Sequence, residues 1–230
     1  MHKSKRDLLI VLIVFPLIYF MYSLSPWSKE LFVKGNDDLF IPFWSGIIIL
    51  HWLSVFIIKI FLNQENKTFR DIGFMLNAKK NLILVISYFT FSLFVFGFTE
   101  QFLQHISIDE KILSGLLNFF PKTTSQRLLF ILTVFSAGFC EEIIYRGYAI
   151  TKLTELKMNK WAALIPAGIA FVFTHGIVTV TGLGQFFFYF IPALIFGSIF
   201  IWRKRLLFNI VIHLLFDLTA MTAIFQAIKY

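Results

Sequence analysis

Six side chains in this 230-residue sequence have types and spacings suited to chemistry: Glu141, Glu142 and Arg146 in "GFCEEIIYRGY", His175 in "FVFTHG", and His213 and Asp217 in "HLLFD". Each falls in a stretch otherwise apolar enough to cross a bilayer, where an ionisable group is costly and marks a functional site by default. Glu142 and Arg146 stand four apart with the acid on the N-terminal side, the favoured orientation for a helical ion pair. Glu141 points about 100° away around an α-helix. The pair therefore neutralises Glu142 and leaves Glu141 without an adjacent cation, free to serve as a general base. His213 and Asp217 are also four apart, so the acid either orients the imidazole or holds a proton itself. His175 lies one turn from Phe171 on the same helix face. Taken singly, each group also has a plainer reading: an ionic knot that locks helices, a hydrogen-bonded packing histidine, a self-satisfied His–Asp pair.

The elements that must hold these groups follow from composition. With 58% hydrophobic residues, 15% charged and a mean hydropathy of +0.78, the chain lacks the polar surface a soluble domain of this length needs. The expected fold class is all-α: a polytopic membrane protein, one domain over residues 1–230. A span needs about 20 mostly apolar helical residues. Seven stretches qualify: Leu8–Leu24, Leu39–Leu62, Leu82–Leu103, Leu128–Ile150, Trp161–Val180, Phe186–Trp202 and Leu206–Ile228. The Gly- and Thr-rich "THGIVTVTGLGQ" predicts a break at the end of the fifth. Alternate loops carry 13 Lys and Arg against 6 on the other side, which sets the N-terminus in the cytoplasm. The net charge of +8 is thus explained by inner loops and anionic headgroups, and no nucleic-acid partner is expected. A single cysteine, Cys140, excludes an internal disulfide and reads as a small packing residue.

Depth unites four of the six. At 1.5 Å per residue, Glu141 lies roughly 13 Å from the cytoplasmic end of its span, His213 and Asp217 roughly 10 to 17 Å from theirs, and His175 about 20 Å. Members of one site must share a slab in this way; independent packing residues need not. Of the other intramembrane groups, Lys59 is near the inner end of its span, Glu100 near the outer end of the third, and His51 near the middle of the second. His51 is expected to serve packing.

In order and spacing, "EEIIYR", "FVFTH" and "HLLFD" resemble the three motifs of the CAAX-protease and bacteriocin-processing (Abi) family of intramembrane glutamic endopeptidases: EExxxR, FxxxH and HxxxN or HxxxD. The resemblance covers residues 128–221, and "RDIGF" before the third span resembles a further element common there. It implies that Glu141, helped by His175, activates a water for attack on a peptide carbonyl. His213 and Asp217 would face the developing oxyanion, with Glu142 and Arg146 shaping the site. It also implies chemistry with no cofactor and no metal. Asp217 stands where prenyl-protein members carry Asn, and an ionised carboxylate cannot donate to an oxyanion as an amide can. The residues alone leave rivals. Two Glu, two His and an Asp are zinc-ligand types, although HExxH is absent.

The expected setting is a bundle with a polar cavity open to the cytoplasm, multi-pass in a bacterial plasma membrane. The expected partners are the lipid bilayer, a peptide or membrane-protein substrate, and a further membrane-protein partner. The alternative is a non-catalytic membrane scaffold or bacteriocin self-immunity protein that keeps the ionic cluster for helix registration.

Overall fold

In the computed structural model, residues 2–75, 86–87, 89–90, 93–94, 97, 114–115 and 117–227 are described. Seven helical elements, numbered here over those residues, build the fold. The first, α1, runs through His2–Leu9, Ile10–Val14 and Phe15–Ser23; α2 is Pro26–Lys34 and α3 is Phe40–Asn63. Next, α4 runs through Thr124–Glu141, Glu142–Ile150 and Thr151–Glu155; α5 is Leu164–Thr174, α6 Leu183–Arg203 and α7 Leu206–Ala227. Among the described residues there is no strand. Four helices are long and apolar enough to cross a membrane, Ser4–Ser23, Asp37–Asn63, Thr124–Glu155 and Leu183–Arg203, with shorter apolar helices at Leu164–Thr174 and Leu206–Thr219. The expected third span, 82–103, and Glu100 with it, lie largely or wholly outside the described residues.

Helix α4 is the axis of the molecule. A capping box starts it: Thr123 Oγ1 accepts from the Gln126 backbone N–H at 3.3 Å, and Gln126 Oε1 accepts from the Thr123 N–H at 3.1 Å. Every residue of Glu142–Ile150 is buried, so this stretch is packed on all sides. Ile143, Ile144, Tyr148 and Ala149 form one core with Val11 and Phe15 of α1, Ile58 of α3, Ala167 and Phe171 of α5, and Ile210 of α7. The outer helices and the first part of α4 instead expose Leu17, Ile49, Phe56, Leu132 and Ile165, the apolar outside that lipid favours.

Two departures from α-geometry matter for the site. Glu142–Ile150 and Ile10–Val14 are π-helical, with i→i+5 hydrogen bonding that widens the helix, and the two stretches pack on each other. The fifth span is shorter than Trp161–Val180: α5 ends at Thr174 and a tight 3₁₀ stretch, Gly176–Val180, follows. That break is the one the Gly- and Thr-rich sequence predicts. Gly176 makes it possible. Its φ of +75° favours glycine, and a Cβ there would stand 2.3 Å from that of Ser23. Ser23 Oγ accepts from the Ile177 N–H at 2.9 Å, pinning the turn to the end of α1.

The loop 64–75 packs onto the bundle. Ile72 is buried, and its carbonyl oxygen and side-chain tip lie 3.2 Å from where Gly147 would carry a Cβ. Gly73, at φ +94°, offers its carbonyl to the Leu206 N–H at 2.9 Å and so ties the loop to the start of α7. Outside the apolar zone, Lys67 bridges Glu65 at 3.1 Å and Glu155 at 2.8 Å, and the fully buried Lys152 pairs with Glu65 and Glu155. The loop is thus tied both to the C-terminal end of α4 and to the start of α7.

Candidate functional site

The two adjacent glutamates have different surroundings. Glu142, fully buried, is surrounded by donors: His213 Nδ1 at 2.9 Å, Asn209 Nδ2 at 3.1 Å and Arg146 Nη1 at 3.2 Å. The Arg146 contact is an ion pair rather than an aligned hydrogen bond, since neither terminal nitrogen has a hydrogen-bond partner among the described residues. The guanidinium instead lies 4.2 Å from the Phe171 ring centroid and 5.5 Å from that of Phe196, cation–π contacts that gain strength where water is excluded. Asn209, also fully buried, donates a second hydrogen bond to the Phe196 carbonyl at 2.7 Å, binding α7 to α6 as well as to α4.

Glu141 is held more loosely. Its Oε1 lies 3.4 Å from His51 Nε2 and its Oε2 lies 3.9 Å from His213 Nε2, and its side chain is 8% exposed. His175 lies within its electrostatic range but beyond direct ion-pair distance. Three imidazoles, from α3, from the end of α5 and from α7, therefore surround one carboxylate that no Arg or Lys contacts among the described residues.

The ring nitrogens can be assigned from their partners. His175 caps α5, and its Nδ1 lies 3.1 Å from the Phe171 carbonyl oxygen. A carbonyl only accepts, so Nδ1 carries the hydrogen and, in the neutral ring, Nε2 presents a lone pair. The ring is clamped between Tyr189, with centroids 4.1 Å apart, and Phe171 at 4.8 Å. Around His213 the polar neighbours are carboxylates: Glu142 at Nδ1, and Glu141 and Asp217 at Nε2, the last at 3.5 Å. Such a ring is placed to donate from both nitrogens. Asp217, with 24% of its side chain exposed, is the outermost member.

The structure thus brings Glu141, Glu142, Arg146, His213 and Asp217 into one chain of contacts and puts His175 beside it. Three further side chains join. Asn209 precedes His213 by four, as His213 precedes Asp217, so 209, 213 and 217 form a polar stripe on an apolar helix; that spacing was the available signal. His51, expected to pack, contacts Glu141 directly, and Ser136 Oγ lies 3.4 Å from His51 Nδ1. Cys140 is buried in the core as a packing residue. Among the described residues no three His, Cys, Asp or Glu side chains are arranged to hold a metal ion.

Fold and site together describe a class: a protein without strands among its described residues, with helices long and apolar enough to cross a membrane and a buried carboxylate–histidine centre. Residues 123–219 match the family described as Rce1-like, Type II CAAX prenyl endopeptidase Rce1-like, the CAAX-protease family that the three motifs resemble. The matched stretch holds every member of the site except His51. No curated protein and no solved structure matches the chain.

Proposed function

We propose that this chain is an intramembrane glutamic endopeptidase that cuts a membrane-associated peptide or protein. The observation that carries the proposal is the asymmetry of the paired acids. Glu142 is consumed by Arg146, Asn209 and His213, whereas Glu141, one residue away, faces His51, His213 and His175 with no such partners. A purely structural knot accounts for the first arrangement and leaves the second without a purpose.

In this reading Glu141 takes a proton from a water lying between it and His175, whose Nε2 lone pair accepts the second water hydrogen. The hydroxide adds to the scissile carbonyl carbon, and the carbonyl electron pair moves onto oxygen. His213 Nε2–H faces that oxyanion, held by the Glu142 bond at Nδ1. As the tetrahedral intermediate collapses, the C–N bond breaks and Glu141 passes its proton to the leaving amine. Asp217, a carboxylate 3.5 Å from His213, orients the ring unless it is itself protonated. The whole cycle uses side chains and water alone. The family description suggests a prenylated substrate. The chain's Phe-, Ile- and Lys-rich composition points instead to a bacterial plasma membrane, with the N-terminus inside, and there to unprenylated peptides.

The test uses the full chain in lipid nanodiscs with two probes, a farnesylated CAAX peptide and an unprenylated amphipathic peptide, with products read by mass spectrometry. Cleavage of either by the wild type, reduced about 10²- to 10⁴-fold by Glu141→Gln in a normally folded protein, is expected. Glu141→Gln at the wild-type rate would overturn the proposal, as would an immunity or binding phenotype that this variant retains in full while no probe is cut.

A further inference from the structure

His51 lies outside the matched family stretch and outside the three motifs, on α3, yet it makes the shorter of the two ion-pair contacts to the acid proposed to activate water. Its side chain is 5% exposed, and its ring lies 5.5 Å from that of Tyr19 at an interplanar angle of 37°. Both ring nitrogens have a polar neighbour: Ser136 Oγ at 3.4 Å from Nδ1 and Glu141 Oε1 at 3.4 Å from Nε2. The acceptor chemistry orders this chain. An ionised carboxylate only accepts, so Nε2 carries the hydrogen toward Glu141; Nδ1 is then the acceptor and the Ser136 hydroxyl the donor. Ser136 belongs to α4, as Glu141 does, so the relay leaves α4, crosses to α3 and returns to α4 five residues on. It brackets the last α-helical residues of α4 before its π-helical turns.

We propose that His51 is a positioning residue for Glu141: its Nε2–H holds Oε1 so that Oε2 stays turned toward His213 and the substrate carbonyl. The inference rests on the peptidase reading above. A carboxylate with two ion-pair contacts at 3.4 and 3.9 Å, both longer than an N–H···O hydrogen bond of about 2.7–3.2 Å, is free to swing once one is removed. A misplacement of about 1 Å at a reacting group costs about 10²-fold in rate. A histidine that served only helix packing would be replaceable by any side chain that fills its space and keeps the Ser136 contact.

Two amides separate these roles. The amide of Asn takes the place of His Nδ1, its oxygen accepting from Ser136, and does not reach Glu141; the amide nitrogen of Gln takes the place of Nε2 and does. The measurement is kcat and KM for the full chain in nanodiscs, on whichever of the two peptide probes the wild type cuts. His51→Asn is expected to lower kcat about 10- to 100-fold with KM within about twofold, and His51→Gln to restore kcat to within about threefold of wild type. Equal rates for the two amides, or a His51→Asn kcat within threefold of wild type, would overturn the positioning role. Glu141→Gln in the same assay keeps the two ideas apart. An inactive Glu141→Gln beside a fully active His51→Asn sinks the role of His51 alone; an active Glu141→Gln sinks the peptidase reading. A readout independent of turnover is unfolding in mixed micelles. The shifts caused by His51→Asn and Glu141→Gln are expected to be non-additive in the double variant, and strict additivity would count against any contact that matters.

Discussion

Glu142→Gln is expected to be the most destabilising single-atom-scale change in the site, more so than the same change at its neighbour. The carboxylate is fully buried and takes His213 at 2.9 Å, Asn209 at 3.1 Å and Arg146 at 3.2 Å. Gln keeps one acceptor and turns the other into a donor facing donors, while Arg146, 2% exposed, loses its counter-charge. Removing one partner of a buried pair costs about 3–5 kcal/mol because the other charge stays buried and uncompensated. Glu141→Gln removes only contacts at 3.4 and 3.9 Å and should cost about 1 kcal/mol. Equilibrium unfolding in mixed detergent micelles, followed by the fluorescence of the five tryptophans, reads both. The double change Glu142→Gln with Arg146→Gln should recover part of the loss, giving a coupling of about 1–3 kcal/mol. Equal costs at positions 141 and 142, or a cost below about 1 kcal/mol at 142, would refute the division of structural and chemical work between the two acids.

Other substitutions probe the frame. Gly176→Ala should cost about 1–3 kcal/mol through its φ of +75° and the clash with Ser23, and should lower activity further by moving His175; Ser23→Gly is expected to relieve the clash but not the backbone strain, which unfolding midpoints and kcat together would show. Asp217→Asn should keep peptidase activity within about tenfold, since an amide both faces His213 and donates, whereas Asp217→Leu should lose about 10²-fold, read on the same peptide probe. The loop 64–75 should loosen in acid. Against the burial that disfavours its charge, bonds from Lys152 and Lys67 hold Glu65 below its usual value, so its contribution is present above about pH 4.5 and is lost as pH falls through the depressed value. Burial likewise opposes the Lys67 charge, but Glu155 and Glu65 raise it above its usual value, so its contribution persists until pH exceeds about 10. Amide exchange over residues 64–75, corrected for intrinsic rates, should therefore be flat from about pH 5 to 10 and rise below 4.5; a rise between pH 6 and 8 would contradict this.

How much of this was legible in the sequence depended on whether the signal was local. The i, i+4 spacing of Glu142 and Arg146 predicts their ion pair, and the structure has it at 3.2 Å. The Gly- and Thr-rich segment after His175 predicts a break, and α5 ends there. Asn209 was equally readable from its four-residue offset to His213, but a neutral amide is cheaper in an apolar helix than an acid and attracts less notice. His51 was not readable. A lone histidine in a span looks the same whether it packs or contacts a carboxylate, and only the crossing of α3 over α4 decides between them. The π-helical stretch has no local signature either: it is set by packing around α4, and it makes the 100° separation of successive side chains an α-helical approximation for the residues after Glu141.

That widened stretch bears on why two identical side chains diverge. Glu141 is the last α-helical residue and Glu142 the first of the π-turns. In a regular helix adjacent side chains already face apart; the change of winding lets Glu142 and Arg146 both turn into the seam with α7, where Asn209 and His213 stand ready to donate. The cost of burying Glu142 is then met within one dense set of contacts. That set fixes the Nδ1 side of His213, so the Nε2 side has a defined direction, toward Glu141 and Asp217. Glu141 needs no cation of its own to be tolerated, because His51, His175 and His213 surround it with groups able to donate or to hold a proton. A fully neutralised acid would be too well satisfied to move a proton, and a fully isolated one would not be charged. On the proposed peptidase reading, the fold supplies one acid of the first kind as the anchor, and the second, beside it, stands in the intermediate state that proton transfer requires.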